Sequence, residues 1–244
     1  MITISVKHNI DDVVRNLNDQ FRNQVPFATA KALTLTAKSV QAGMRTEMAS
    51  VFDRPKPYTL GGTYITPATK ANQVATVGIK DQASGGRAQA KYLASQISGG
   101  ARRMAGYEVV LQKIGLLPSG WRAVPAAGAK LDRYGNMSQP QFTEIIVSLR
   151  TYILRFKGKG KRVTRNAGYF AALPGSRRTA HLTPGIYYRI ERTGESAIIP
   201  VLIFVQSVQY AKRLDLLKIV DAEVSRTFDR EFAAALAGAI RTAR

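Results

Sequence analysis

The chain has 244 residues, with 36 Lys and Arg against 16 Asp and Glu, giving a formal net charge of +20 and a pI near 10.5. Its length and 45% hydrophobic content allow a sizeable core, and the absence of cysteine excludes disulfides, thiolate metal sites and cysteine nucleophiles. So large a basic excess costs self-repulsion unless a polyanion or an acidic neighbour screens it, so nucleic acid is the first partner to test.

At the N-terminus, Ile2, Ile4 and Val6 alternate with Thr3, Ser5 and Lys7, the pattern of a short strand. Asn9 then reads as a helix cap, with Asp11 and Asp12 in the first turn where carboxylates favour the helix dipole. This helix is expected to run to about Gln24 and to end or kink at Pro26. A second helix is expected from Phe27 to Val51, with Ala30, Leu33, Ala37, Val40, Met44 and Val51 on one face. On the opposite face Lys31, Lys38 and Arg45 recur every seven residues, as a solvated face or as a basic stripe toward phosphates. Ala28, Ala30, Ala32 and Ala37 predict close approach to a neighbouring element, which could be another copy of the chain.

Pro55, Pro57, Gly61 and Gly62 mark a loop, after which Thr63 to Thr66 and Gln73 to Ile79 read as paired strands. Asp81 to Gln89 is polar and Gly-rich, and short helices are expected over Ala90 to Ile97 and Tyr107 to Leu117. The stretch after Leu117, with Pro118, Gly120, Pro125, Gly128 and Gly135, has no period and reads as a structureless functional loop or assembly arm. Ser138-Gln139-Pro140-Gln141 fits a capping box opening a helix to about Ile153, with Phe142, Ile145, Ile146 and Leu149 at helical spacing. A strand is expected over Tyr169 to Leu173, and a hairpin from Ile186 to Glu191 and Ser196 to Val205, with Pro200 at a bulge or an edge.

The last stretch joins the apolar run Ile198 to Val205 to a long helix. There Leu214, Leu217, Val220, Val224, Phe228, Phe232, Ala235 and Ala239 fall within an arc of roughly 120°. A strand and helix so patterned are expected to pack as a lid over a sheet.

Candidate chemistry is sparse. His8 and His181 are the only histidines, and neither has a second ligand at zinc spacing. Gly158-Lys159-Gly160-Lys161 lacks the spacing of a phosphate-binding loop. From Ile145 to Ile190 there is no Asp or Glu, so this region cannot supply the acidic ligands of a metal-dependent nuclease. It does hold the densest basic run, from Arg155 to Arg165. The candidate contacts to nucleic acid or an acidic partner are therefore Arg155, Lys157, Lys159, Lys161, Arg162, Arg165, Arg177 and Arg178. Nearby aromatics are few (Tyr152, Phe156, Tyr169 and Phe170), which predicts backbone contact without sequence readout. The chain is expected not to be an enzyme, and no cofactor or metal is expected.

Behind a short N-terminal segment, three further features together resemble the tail-completion and neck proteins of tailed bacteriophages. They are Val25-Pro26-Phe27-Ala28-Thr29-Ala30-Lys31-Ala32-Leu33, the Lys- and Arg-rich middle, and Ala211-Lys212-Arg213-Leu214 leading from a strand into a long helix. The nearest likeness is to the minor tail protein Z family of lambda-like phages, over about Val25 to Val51 and Ile186 to Arg244. The chain is longer than that family, chiefly between Asp81 and Gln141. The resemblance implies a structural virion protein at the head–tail junction or the top of the tail, assembled in host cytoplasm as a ring of copies. It also implies contacts with other neck, portal or tail proteins and with the viral double-stranded DNA in the channel.

The expectation is a single α+β domain over residues 1–244: a small, mostly antiparallel sheet packed by long N- and C-terminal helices, with an inserted arm at about 81–141. Its expected function is head–tail joining or tail completion. The alternatives are a free, sequence-nonspecific nucleic-acid-binding protein, and a nuclease in which Asp11, Asp12, Glu47 and Asp53 converge. No apolar run approaches the length of a membrane span, the N-terminus lacks the features of a secretory signal, and a cytoplasm-like solvent is expected.

Overall fold

A computed structural model describes the backbone of residues 3–7, 19–83, 87–157, 168–192 and 195–242, and the side chains of 24–83, 87–150, 168–190 and 197–242. The fold is α+β, with helices and antiparallel sheets, and the chain divides into two compact units: residues 1–100 with 211–244, and residues 101–210. The insertion expected at about 81–141 is thus partitioned. A helix over Gln89–Ser98 belongs to the first unit, and residues 101–141 open the second.

In the first unit, strand β1 (Thr3–Lys7), helix α1 (Asp19–Val51), the short helix α2 (Pro57–Leu60), strands β2 (Thr63–Thr66) and β3 (Val74–Ile79), and helix α3 (Gln89–Ser98) come in that order. The sheet order is β1-β3-β2, antiparallel throughout, with Thr3 opposite Gly78 and Thr63 opposite Ile79. Ala75, Val77 and Ile79 of β3 are buried on alternate positions, as a half-covered strand requires. On the other side of β3 the Tyr64 ring lies within 2.6 Å of where a Cβ on Gly78 would stand, so only glycine fits beneath it.

Helix α1 lies on β2 and β3 and also packs along the C-terminal helix, so it is buried on two sides. Between Val25 and Val40 this burial takes in Ala28, Thr29, Ala30, Ala32, Leu33, Thr36 and Ala37; further on it narrows to Met44 and Met48. The expected face is therefore right but too narrow, and the alanines are where the two neighbours approach. The expected break at Pro26 does not occur: one helix runs through it. Proline removes one helical hydrogen bond and costs about 3 kcal/mol. Against that cost, Val25 and Ala28 are buried, the Thr29 hydroxyl donates to the Val25 carbonyl at 2.8 Å, and Gln73 Nε2 donates to the Pro26 carbonyl at 3.0 Å. The cap expected at Asn9 and the first turn at Asp11 and Asp12 lie outside the described residues.

The chain returns to this unit at Ala211, where the Arg213 and Leu214 amides both donate to the Gln96 carbonyl at the end of α3. Leu214 is fully buried ahead of the helix. Asp215 caps α6 (Leu216–Thr242) by accepting from the Lys218 amide at 3.3 Å. Val220, Phe228, Ala235 and Ala239 face the core as expected, but Leu217 is 66% exposed and Leu216 takes the buried position. The expected lid is also corrected. Strand 195–205 belongs to the second unit, and α6 lies on α1 rather than on a sheet.

Where the two helices cross, Gly43 lets them close up, since a Cβ there would stand 3.1 Å from Glu223 Cγ. Ser39 donates to Glu223 at 2.6 Å, and Arg226 pairs with the same carboxylate. Burial pushes the Glu223 carboxyl up, but the Ser39 bond and the Arg226 charge outweigh it and hold the group below its ordinary value of 4.5.

In the second unit, helix α4 (Gly106–Lys113), strand β4 (Arg122–Pro125), helix α5 (Gln139–Lys157) and strands β5 (Gly168–Ala172), β6 (Gly185–Arg192) and β7 (Glu195–Val205) build an antiparallel sheet of order β4-β7-β6-β5. Leu111, Ile145 and Leu149 of the helices share a core with Tyr169, Ile186, Val201, Leu202 and Phe204 of the sheet. Pro200 sits at a bulge, where Tyr187 pairs with Pro200 but Ile186 with Leu202, as its missing donor demands.

The stretch read as structureless is ordered. β4 extends the sheet, Ala126 and Gly128 donate to the Val201 and Pro200 carbonyls, and Met137 is buried. The capping box expected at Ser138 is replaced by a longer-range link. The Ser138 amide donates to the Lys130 carbonyl at 3.0 Å, while Gln141 turns to the same loop, accepting from the Lys130 amide and donating to the Gly128 carbonyl.

Leu33→Ala and Met44→Ala should each lower the stability of the first unit by about 2–5 kcal/mol, whereas Leu217→Ala should change it by less than about 0.5 kcal/mol. Urea unfolding followed by circular dichroism distinguishes them. The depressed Glu223 pKa contributes stability above about 4.5 that is lost as pH falls through the folded-state value. Glu223→Gln should therefore flatten the acid limb of the stability–pH curve and destabilise at pH 7.

Candidate nucleic-acid interface

The positive charge is unevenly shared between the units. Residues 101–210 hold 17 Lys and Arg against 5 Asp and Glu, a net +12, whereas the rest of the chain holds 19 against 11, a net +8. Three of those five acids, the ones whose side chains are described, are engaged inside the second unit, Glu144 by accepting the Tyr169 hydroxyl at 3.5 Å. Asp132 Oδ1 accepts the Tyr134 and Asn136 amides to close a turn, and Glu108 is fully buried.

Glu108 is the residue that sequence reasoning missed. It is the third residue of α4 and accepts the Ala105 amide at 2.5 Å, half of a capping box in which alanine has replaced the usual hydroxyl residue, so no sequence signal marks it. Its carboxylate also accepts the Ala123 amide at 2.8 Å and both terminal nitrogens of Arg102, at 3.1 and 2.5 Å. A buried carboxylate persists only when its lone pairs are filled in this way. Arg102 in turn carries the two ends of the unit: its amide donates to Val208 and its carbonyl accepts Arg122 Nε, each at 3.0 Å. The neighbouring Tyr107 donates to the Ala123 carbonyl at 2.7 Å; burial, then the Glu108 charge, push its hydroxyl up to about 12.

Of the eight expected contact residues, Arg177 and Arg178 are placed with their side chains. Both are exposed in a single 3₁₀ turn, Arg177–Thr179, that follows β5 and is held by the Ser176 and Thr179 amides. Arg155 and Lys157 lie on the last turns of α5, of whose side chains nothing is described, and Lys159, Lys161, Arg162 and Arg165 lie outside the described residues. Strand β5 is an edge strand of the four-stranded sheet. Its Gly168, which follows the basic run in sequence, is the register partner of Arg189, whose guanidinium lies over the Phe170 ring at 5.1 Å. Phe170 stacks on Tyr187 across the strand pair at 5.7 Å. This cation and its aromatic support come from different strands, so only the register reveals them.

In the first unit Lys31, Lys38 and Arg45 are all exposed along α1, as their spacing predicts. None of these three, nor Arg177, Arg178 or Arg189, forms an ion pair with an acid among the described residues.

The carboxylates suggested for a nuclease do not gather among the described residues. Asp53 pairs with Arg54, Glu47 lines an open groove of about 460 Å³ between α1 and α6, and Asp11 and Asp12 lie outside the description. No three His, Asp or Glu among the described residues could hold one metal ion.

Glu108→Ala strands the Arg102 charge and two buried amides and should cost about 3–5 kcal/mol. Glu108→Gln, which keeps an acceptor for the Ala123 amide, should cost less. Thermal unfolding of the two variants checks the order, and a loss below about 1 kcal/mol for Glu108→Ala would mean that the cluster is not what holds the unit together.

No family model, curated protein or solved structure matches the chain.

Proposed function

We propose that this protein is a structural component of a tailed-phage virion, acting in head–tail joining or tail completion as a ring of copies around the DNA channel. The observation that carries this reading is the unneutralised basic surface. Arg177 and Arg178 stand exposed in a unit of net charge +12 on a chain of net charge +20, while the buried carboxylate of that unit, Glu108, is wholly engaged within the fold. A passage for double-stranded DNA needs positive charge that tolerates a moving polyanion, and contact to phosphates without base readout supplies it. The resemblance of the Val25–Leu33 helix and the Ala211–Leu214 approach to the tail-completion family points the same way. The long α1–α6 pair provides an ordered scaffold, and in the proposed ring its exposed residues would meet neighbouring copies and portal or tail proteins.

A phage genome that encodes this chain provides the test. Deleting the gene should leave filled heads and tails that fail to join or to eject DNA, and imaging of intact particles should place a symmetric ring of the protein at the junction or the top of the tail. Particles that join and deliver DNA without it would refute the reading. Tight, sequence-selective DNA binding that survives high salt, in a protein absent from particles, would favour a free nucleic-acid-binding protein instead.

A further inference from the structure

The two units differ in charge, and among the described residues cations stand near both ends of the second sheet's edge strand β5, one of them on the neighbouring strand β6. Arg189 lies opposite Gly168 at the start of β5, and Gly185 lies opposite Ala172 at its end, beyond which the chain turns into Arg177 and Arg178. Four residue steps at about 3.3 Å separate the ends of the strand, roughly 13 Å. That is about the axial length of four nucleotides in one strand of a duplex, at about 3.4 Å each. Arg189 is also preset, since the Phe170 ring supports its guanidinium and Tyr187 supports Phe170. The Tyr187 hydroxyl is tied to the Thr183 carbonyl at 2.8 Å, in the segment that joins the Arg177 turn to β6. Phe170 and Tyr187 therefore tie Arg189 to the segment that follows the Arg177 turn.

We infer that duplex-DNA binding is localised to the inserted unit, along the β5 edge between Arg189 and the Arg177–Arg178 turn, and that the basic stripe on α1 is not a DNA contact. The α1 stripe is set on a unit whose charge is more nearly balanced, with 11 acids against 19 bases, and four of those acids, Asp221, Glu223, Asp229 and Glu231, lie on α6, the helix packed along α1. The β5 edge belongs to a unit in which bases outnumber acids by more than three to one. This inference rests on the basic surface invoked for the virion role but assigns the contact to one unit and one strand edge.

Two triple variants of the full chain, each removing the same three charges, separate location from total charge. One is Arg177→Gln, Arg178→Gln, Arg189→Gln; the other is Lys31→Gln, Lys38→Gln, Arg45→Gln. Each is assayed for binding to a random-sequence duplex by fluorescence anisotropy from about 50 to 200 mM salt, with melting curves to confirm that both fold. The first triple should lower the slope of log K against log salt by about 2–3 and weaken binding at least tenfold at the lower salt, while the second should change the slope by less than about 0.5. Equal loss in both triples, or greater loss in the α1 triple, overturns the localisation. Absence of duplex binding by the unaltered chain also overturns it, and transfers the basic edge to an acidic protein partner. None of these results decides whether the protein is needed for head–tail joining, so failure of the localisation and failure of the virion role are separately visible.

Discussion

The first unit depends on one helix being pressed from two sides. Helix α1 carries the β2–β3 sheet on one flank and α6 on another, and such a helix cannot be filled with large residues without forcing its neighbours apart. Ala28, Ala30, Ala32 and Ala37 line the doubly buried half, and Gly43 sits where α6 crosses. Met44 and Met48 become possible only where burial narrows. The same constraint places the charge. A cation on either covered flank would be desolvated without a partner, so Lys31, Lys38 and Arg45 fall on the remaining strip at a seven-residue interval. The basic stripe is therefore a consequence of two-sided packing before it is anything else.

A different constraint governs the second unit. Its sheet and two helices meet over an apolar core, and the ends of the inserted segment must be brought together for that core to close. Glu108 does this by collecting the Ala105 and Ala123 amides and the Arg102 guanidinium, with Arg102 bonded onward to Val208 and Arg122. An apolar substitute of the same volume could fill the space, but it could not satisfy those buried donors. Glu108 and Arg102 neutralise each other within the fold, so the rest of the unit keeps the net positive charge that its residue count gives.

Much of this was legible in the sequence where a single period governs a segment. The α5 face at Ile145 and Leu149, the β2–β3 pair, the hairpin of β6 and β7 and the bulge at Pro200 all follow from alternation, helical spacing or a missing donor. The sequence misled where a long-range partner decides. Pro26 reads as a helix end, but burial of Val25 and Ala28 and the Gln73 bond keep the helix intact. Gln141 reads as a cap, but its amide is taken by Lys130 and Gly128. Ile198 to Val205 and the helix after it read as one packing unit because they adjoin in the chain, yet they belong to different units. At the candidate interface the basic composition was plain, but the Arg189–Phe170–Tyr187 stack depends on strand register, which composition does not encode.

The uneven charge bears on assembly as well as on binding. Salt screens exposed cations that stand more than about 8–10 Å apart, which lowers the self-repulsion of a single +20 copy without removing it. Copies arranged in a ring, as proposed, bring like-charged units within that distance, and the repulsion opposes closure. A polyanion threaded through the ring removes the repulsion and releases its own counterions at the same time. Ring closure and DNA occupancy would then be thermodynamically coupled: whatever free energy DNA contributes to closing the ring, the closed ring must return as tighter retention of DNA. In the proposed ring, opposing charges on copies and conduit are sufficient to produce that coupling.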